Sequence, residues 1–237
     1  MINSVRNTVL SVLNKNNFGY LSPADFNLYA KQAQLEIFER YFSDYNNSIN
    51  KENLRMLYPQ RGSGTGYADS TKGIEEVIDT FSVLDTTSYA GGSTFTLPED
   101  YYLINKILPA NGNYEAEQVN HSKISLLNAS LLTAPSLSFP AYTQSGNQVT
   151  VYPETLTFGM IQYIRYPLDP QWTYINLAAG EPVFNETAAD YQDFELPLED
   201  EPDLILKILQ YAGVSIREAD VYNFANQEEI EITQQNA

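Results

Sequence analysis

The chain has 237 residues with no Cys, one His (His121), one Trp (Trp172), 18 Tyr and 11 Phe, and a formal charge of −17 from 30 acids and 13 bases. Without Cys there is no thiol nucleophile, disulfide or thiolate metal site, and any catalytic triad or histidine ligand set would have to run through His121. Such a length can bury about 70% of the surface its unfolded form exposes, so the fold needs no covalent staple.

Charged residues make up 18% of the chain, below the roughly 25% of an average soluble domain. Much of the polar surface is therefore amide, hydroxyl and phenol, a composition suited to surfaces that neighbours cover. The acidic balance argues against gripping a phosphate backbone, which needs clustered Lys and Arg, although DNA can pass nearby without sticking. The first residues lack a basic start followed by a long apolar core, so no signal peptide is expected, and no 18-residue apolar run predicts a membrane span.

In chain order, Ile2, Val5, Val9, Val12 and Leu13 fall near helical spacing. A second helix is predicted with Ser22 as N-cap and Pro23 at the first helical position, where its missing N–H is harmless. Its apolar stripe runs through Phe26, Tyr29, Ala30, Ala33, Ile37, Phe38, Tyr41 and Phe42, and a weaker helix covers Asn50 to Tyr58. The two N-terminal helices are expected to pack as an antiparallel hairpin. Arg61-Gly-Ser-Gly-Thr-Gly66 then reads as a hinge or loop.

Beyond it the pattern turns strand-like at Thr94–Leu97, Tyr101–Leu108, Gln148–Tyr152 and Phe158–Tyr166, each run closed by proline. A short helix around Ser122–Ala129 interrupts them. The last helix opens at Asp200-Glu-Pro-Asp203, where acids favour the dipole, and carries Leu204, Ile205, Ile208, Leu209, Ala212, Ile216 and Ala219 at helical spacing. The predicted class is α+β: an N-terminal helical hairpin plus C-terminal helix forming a bundle, with a central antiparallel β domain. The expected parts are residues 1–60 (helical), 61–195 (β domain with a short helix), 196–224 (helix packing on the N-terminal helices) and 225–237 (C-terminal arm).

Several constellations bear on chemistry. Asn14 to Asp25 matches the EF-hand spacing, with Gly19 at loop position six, but Asn stands at positions one and three, Phe18 at five and Asp25 at twelve. A loop stripped of its anionic ligands is expected not to need calcium. A second stretch from Asp44 fails, with Ile49 at position six and Arg55 at twelve. Gly62–Gly66 lacks the Gly-Lys-Ser/Thr of a phosphate loop. Glu99-Asp100 and the acids from Asp193 to Asp203 offer paired carboxylates for glycoside hydrolysis, or helix capping. His121 has no nucleophile-elbow context and reads as a surface or capping residue. The tyrosines, with Trp172, could stack on sugars or form protein interfaces. No catalytic, cofactor-binding or metal residue and no cofactor is expected.

Taken in order, Leu13–Phe26, Phe95-Thr-Leu-Pro-Glu-Asp-Tyr-Tyr102, Pro140-Ala-Tyr142, Val149-Thr-Val-Tyr-Pro153, Ile161–Pro167, Phe194-Glu-Leu-Pro197 and Ile216-Arg-Glu218 form a recognisable series. It resembles the head–tail connector or ring (adaptor) proteins of short-tailed bacteriophages, especially the crAss-like phages. The resemblance covers nearly the whole chain and rests on the ordered combination. It implies a helical bundle carrying a β domain, repeated as a twelvefold ring below the portal, with no catalytic residues. Implied partners are further copies of the chain, the portal protein and other tail or ring proteins; DNA passes through without specific binding, and no membrane is involved. The implied location is the virion, after synthesis in the host bacterial cytoplasm. The rival classes are a carbohydrate-binding or tail-fibre accessory module using Trp172, and a glycan-cleaving enzyme.

Overall fold

A computed structural model describes residues 1–15, 21–57, 70–88, 93–109, 114–156, 158–178, 180–216 and 227. The described chain is α+β, with five helices and nine strands. It divides into two compact units, residues 1–77 with 167–237, and residues 78–166. The β unit is therefore an insertion in a helical unit, and is shorter than the 61–195 read from the sequence. Residues 167–195, assigned there to the β domain, belong to the helical unit. The Gly62–Gly66 stretch lies outside the described residues, as does the arm of residues 225–237 except Gln227.

In the helical unit, α1 spans Ile2–Lys15, α2 Pro23–Leu57 and α5 Glu201–Ile216, the last preceded by a 3₁₀ turn, Leu198–Asp200. α2 starts as its sequence dictates: the Asp25 N–H donates to Ser22 Oγ at 3.1 Å and Ser22 Oγ donates to Asp25 Oδ2 at 2.6 Å. The cap satisfies one N-terminal helix N–H, and the hydroxyl's own donation engages the acid that would have been the last ligand of an EF-hand. α2 then runs on through the region read as a separate weaker helix from Asn50.

Ile2, Val5, Val9 and Leu13 of α1, Phe26, Ala30, Ala33, Ile37 and Phe38 of α2, and Leu204, Ile208, Leu209 and Ala212 of α5 are buried at helical spacing. Both α1 and α2 pack closely on α5. Phe38, fully enclosed, also meets the Phe42 ring edge-on at 5.0 Å. A small hairpin, β8 (Tyr174–Asn176) with β9 (Pro182–Phe184), completes the unit. Its turn uses Gly180 at φ 84°, where a Cβ would be strained.

The helix α3, Ser70–Asp79, follows; the sequence reading had no element there. Its Ile74, Val77 and Ile78 repeat at helical spacing, an amphipathic pattern that the strand-like reading of this stretch passed over.

In the β unit, β1 (Ser82–Ser88), β7 (Phe158–Arg165) and β3 (Tyr101–Pro109) form an antiparallel sheet in the order β1-β7-β3. A second sheet has the order β2-β6-β5-β4, from Thr94–Thr96, Gln148–Tyr152, Ala141–Ser145 and Glu117–Gln118; only β4–β5 is parallel. The two sheets share one core of Phe95, Leu97, Ile107, Tyr142, Val149, Val151, Leu156, Ile161 and Tyr163. The β5–β6 connection is two residues, Gly146-Asn147, with Gly146 at the positive φ of 60° that such a tight hairpin requires. α4 (His121–Asn128) rests Ile124 and Leu127 on Val119, Ala141 and Tyr152.

Phe38→Ala is expected to cost about 3–5 kcal/mol in denaturant unfolding, because the ring is enclosed between packed helices that can only partly collapse. A cost below about 1 kcal/mol would show that the ring contributes little to this core.

Candidate interaction surface

Trp172 is only 2% exposed. Its backbone N–H donates to Asn27 Oδ1 at 2.9 Å, and its carbonyl accepts from Asn27 Nδ2 at 3.2 Å. Its indole N–H donates to Asn3 Oδ1 at 3.1 Å, and the Arg6 guanidinium lies 3.7 Å from the ring centroid. Tyr174 and Phe184 stack against it at 5.6 and 5.9 Å. The face a sugar would need is taken, so Trp172 is a packing residue and not the exposed platform of the carbohydrate-binding reading.

Five of the carboxylates singled out in the sequence, Asp100, Asp193, Glu195, Asp200 and Asp203, have structural partners. Asp100 accepts from the Tyr163 hydroxyl at 3.2 Å; burial, reinforced by the Asp100 charge, raises the Tyr163 pKa and keeps the phenol protonated. Asp193 accepts from the terminal amino group at 2.8 Å, the Ile2 N–H at 2.7 Å and the Phe194 N–H at 2.8 Å. Burial opposes its charge, but these donors outweigh it and hold its pKa below the ordinary carboxylate value. Asp193 thus caps the start of α1 from nearly the full length of the chain away. Glu195 accepts from the Leu168 N–H at 2.8 Å.

The acids at the start of α5 meet α2. Asp203 pairs with Arg40, and Asp200 accepts from the Tyr41 hydroxyl. Burial raises the Asp200 pKa, outweighing the Tyr41 bond and the Arg40 charge. Lys207 pairs with Glu36 at 2.6 Å. These acids act as caps and cross-links between helices. His121 is the exposed first residue of α4. Among the described residues no group of three His, Cys, Asp or Glu side chains could hold a metal ion, and no helix is long and apolar enough to cross a membrane.

What the described surface does offer is apolar contact. In the β unit, Leu131 and Leu132 are 99% and 96% exposed in the loop between α4 and β5, and Phe139 is 78% exposed near its end. Leu126 and Leu137 are exposed alongside them in sequence. In the helical unit, Ile175, Leu177 and Val183 are exposed on and beside the β8–β9 hairpin. Isolated exposed leucines are ordinary; here several fall within one short segment. Sequence reasoning looked to tyrosines for the interface and passed over these aliphatic residues. The available signal was Ser130-Leu-Leu-Thr133, an apolar pair in a polar turn with no periodic partner.

Asp193→Ala is expected to lower stability at pH 7 by roughly 0.5–2 kcal/mol, the scale of a lost helix cap. Because the folded-state pKa is depressed, the wild-type advantage is present above the unfolded carboxylate value of about 3.9 and is lost as pH falls through the folded value. Unfolding curves from pH 7 to pH 2 should therefore converge at the acid end; a gap constant across that range would exclude the cap.

No protein-family model matches this chain, and no curated protein matches its sequence.

Proposed function

We propose that this chain is a structural virion protein of a short-tailed, crAss-like bacteriophage. Copies assemble into an oligomeric ring at the portal–tail junction, connect head to tail and let the genome pass. It works by contact and not by catalysis. The sequence support is the ordered series from Leu13–Phe26 to Ile216–Glu218, which resembles ring proteins of that class.

The observation that carries the reading is the pair of exposed apolar surfaces, Leu131-Leu132 with Phe139 on the β unit and Ile175, Leu177 and Val183 on the helical unit. A ring closes through heterologous contacts, so each copy needs two different surfaces to present to its neighbours. The −17 charge fits a channel component: an acidic wall gives a duplex no counterion-release grip and leaves it free to slide.

Negative-stain microscopy of the purified chain, alone and mixed with a portal protein, is expected to find closed rings. Monomer-sized particles in both samples would contradict the proposal, and saturable glycan binding by those monomers would favour the accessory-module class.

A further inference from the structure

We infer that the open face of the β1-β7-β3 sheet receives the β8–β9 hairpin of a second copy, head to tail. The inference rests on the ring reading above and names the two faces that mate.

Register fixes which side of the sheet is open. Val83, Ile104, Ile107, Ile161 and Tyr163 pack in the core shared with the second sheet. The residues that alternate with them form the other face: Leu103 beside Ile164, Leu84 and Lys106 flanking Gln162, and Leu108 beside Met160. Leu84 is 62% and Leu103 48% exposed. Lys106 is the only charged residue in these rows, because Asp85 lies opposite Ile161, on the core side.

The hairpin is sorted in the same way. Tyr174 and Phe184 stack inward on Trp172, so the paired Ile175 and Val183 turn outward. The Leu177 N–H donates to the Glu181 carbonyl at 2.9 Å, which extends the pairing and sets Glu181 across from Leu177 on the outer side. This face is apolar with one acid, and no Lys, Arg or His occurs between Arg165 and Lys207. Among the described residues neither Lys106 nor Glu181 has an ion-pair partner.

The two faces complement each other. Sheets bury apolar faces by packing face to face about 10 Å apart, and a two-stranded hairpin is narrow enough to seat on three strands. Charge then chooses the arrangement. Sheet face on sheet face joins two cations without an acid, and hairpin on hairpin joins two acids without a base. Only the head-to-tail pairing brings Lys106 to Glu181, so like charge acts against the symmetric alternatives. Such a heterologous contact propagates around a ring, whereas a symmetric one stops at a dimer.

The chain has no Cys, so introduced thiols are unambiguous. Full-length Leu103→Cys and Ile175→Cys chains, one of them mass-tagged, are mixed and oxidised; the mixed disulfide dimer should exceed either homodimer at least about tenfold. In sedimentation, Lys106→Glu and Glu181→Lys should each weaken self-association roughly fivefold to tenfold, and the double variant, which restores the pair in reverse, should recover it. Homodimers as abundant as the mixed dimer, or a double variant no better than the singles, would overturn this contact and leave the ring reading standing. A wild-type chain that stays monomeric throughout would overturn both. Saturable binding of a polyglutamate peptide by those monomers, lost in Lys106→Glu, would replace the second copy with a different acidic partner.

Discussion

The helical unit is built from two stretches of chain separated by the whole β unit, so its integrity depends on contacts that join residues 1–77 to the return segment after residue 167. Besides the packing of α1 and α2 on α5, Trp172 supplies one. Asn27 pairs with its backbone on both sides, as a neighbouring strand would, while Asn3 and Arg6 of α1 hold its indole. Further along the same face of α2, Lys31 pairs with Asp169 and Gln34 bonds the Leu168 carbonyl and the Glu195 N–H. Asn27, Lys31 and Gln34 are spaced i, i+4, i+7, so one helix face forms a rail for the returning chain. The Asn27 and Gln34 amides in this partly buried seam are matched to backbone groups, which offsets the desolvation cost they would otherwise carry.

The same economy governs the acids. Asp193, Asp200 and Asp203 cap or cross-link helices, and Asp100 orients a tyrosine. The remaining carboxylates give the surface its charge, while the segment from Ile124 to Pro153 stays neutral.

Much of the fold is legible locally. Ser22-Pro23 starts α2 and the acids at Asp200–Asp203 start α5, since caps depend on neighbours in sequence. β2, β3, β6 and β7 lie where alternation and closing prolines put them. What was hidden is what depends on partners distant in sequence. β1 is short and polar and is specified by its pairing with β7, whereas the amphipathic spacing of α3 was available in the sequence and was passed over. The chain from residue 167 to 195 has strand-like composition but belongs with the helices, because Trp172 seats on residues 145 and 169 positions away. Trp172 and the Tyr residues looked equally available for binding; burial, which no local pattern encodes, separates them. The leucine loop escaped notice because a mostly polar turn with two apolar residues has no period.

The ring proposal requires copies of a chain of charge −17 to meet through apolar surface. Sedimentation velocity at fixed protein concentration and rising sodium chloride puts this to the test. Screening weakens the repulsion between copies and leaves the apolar contact intact, so assembly is expected to strengthen from low to physiological salt and to persist above it. Assembly that dissolves as salt rises would mean that ion pairs hold the copies together, and would contradict it.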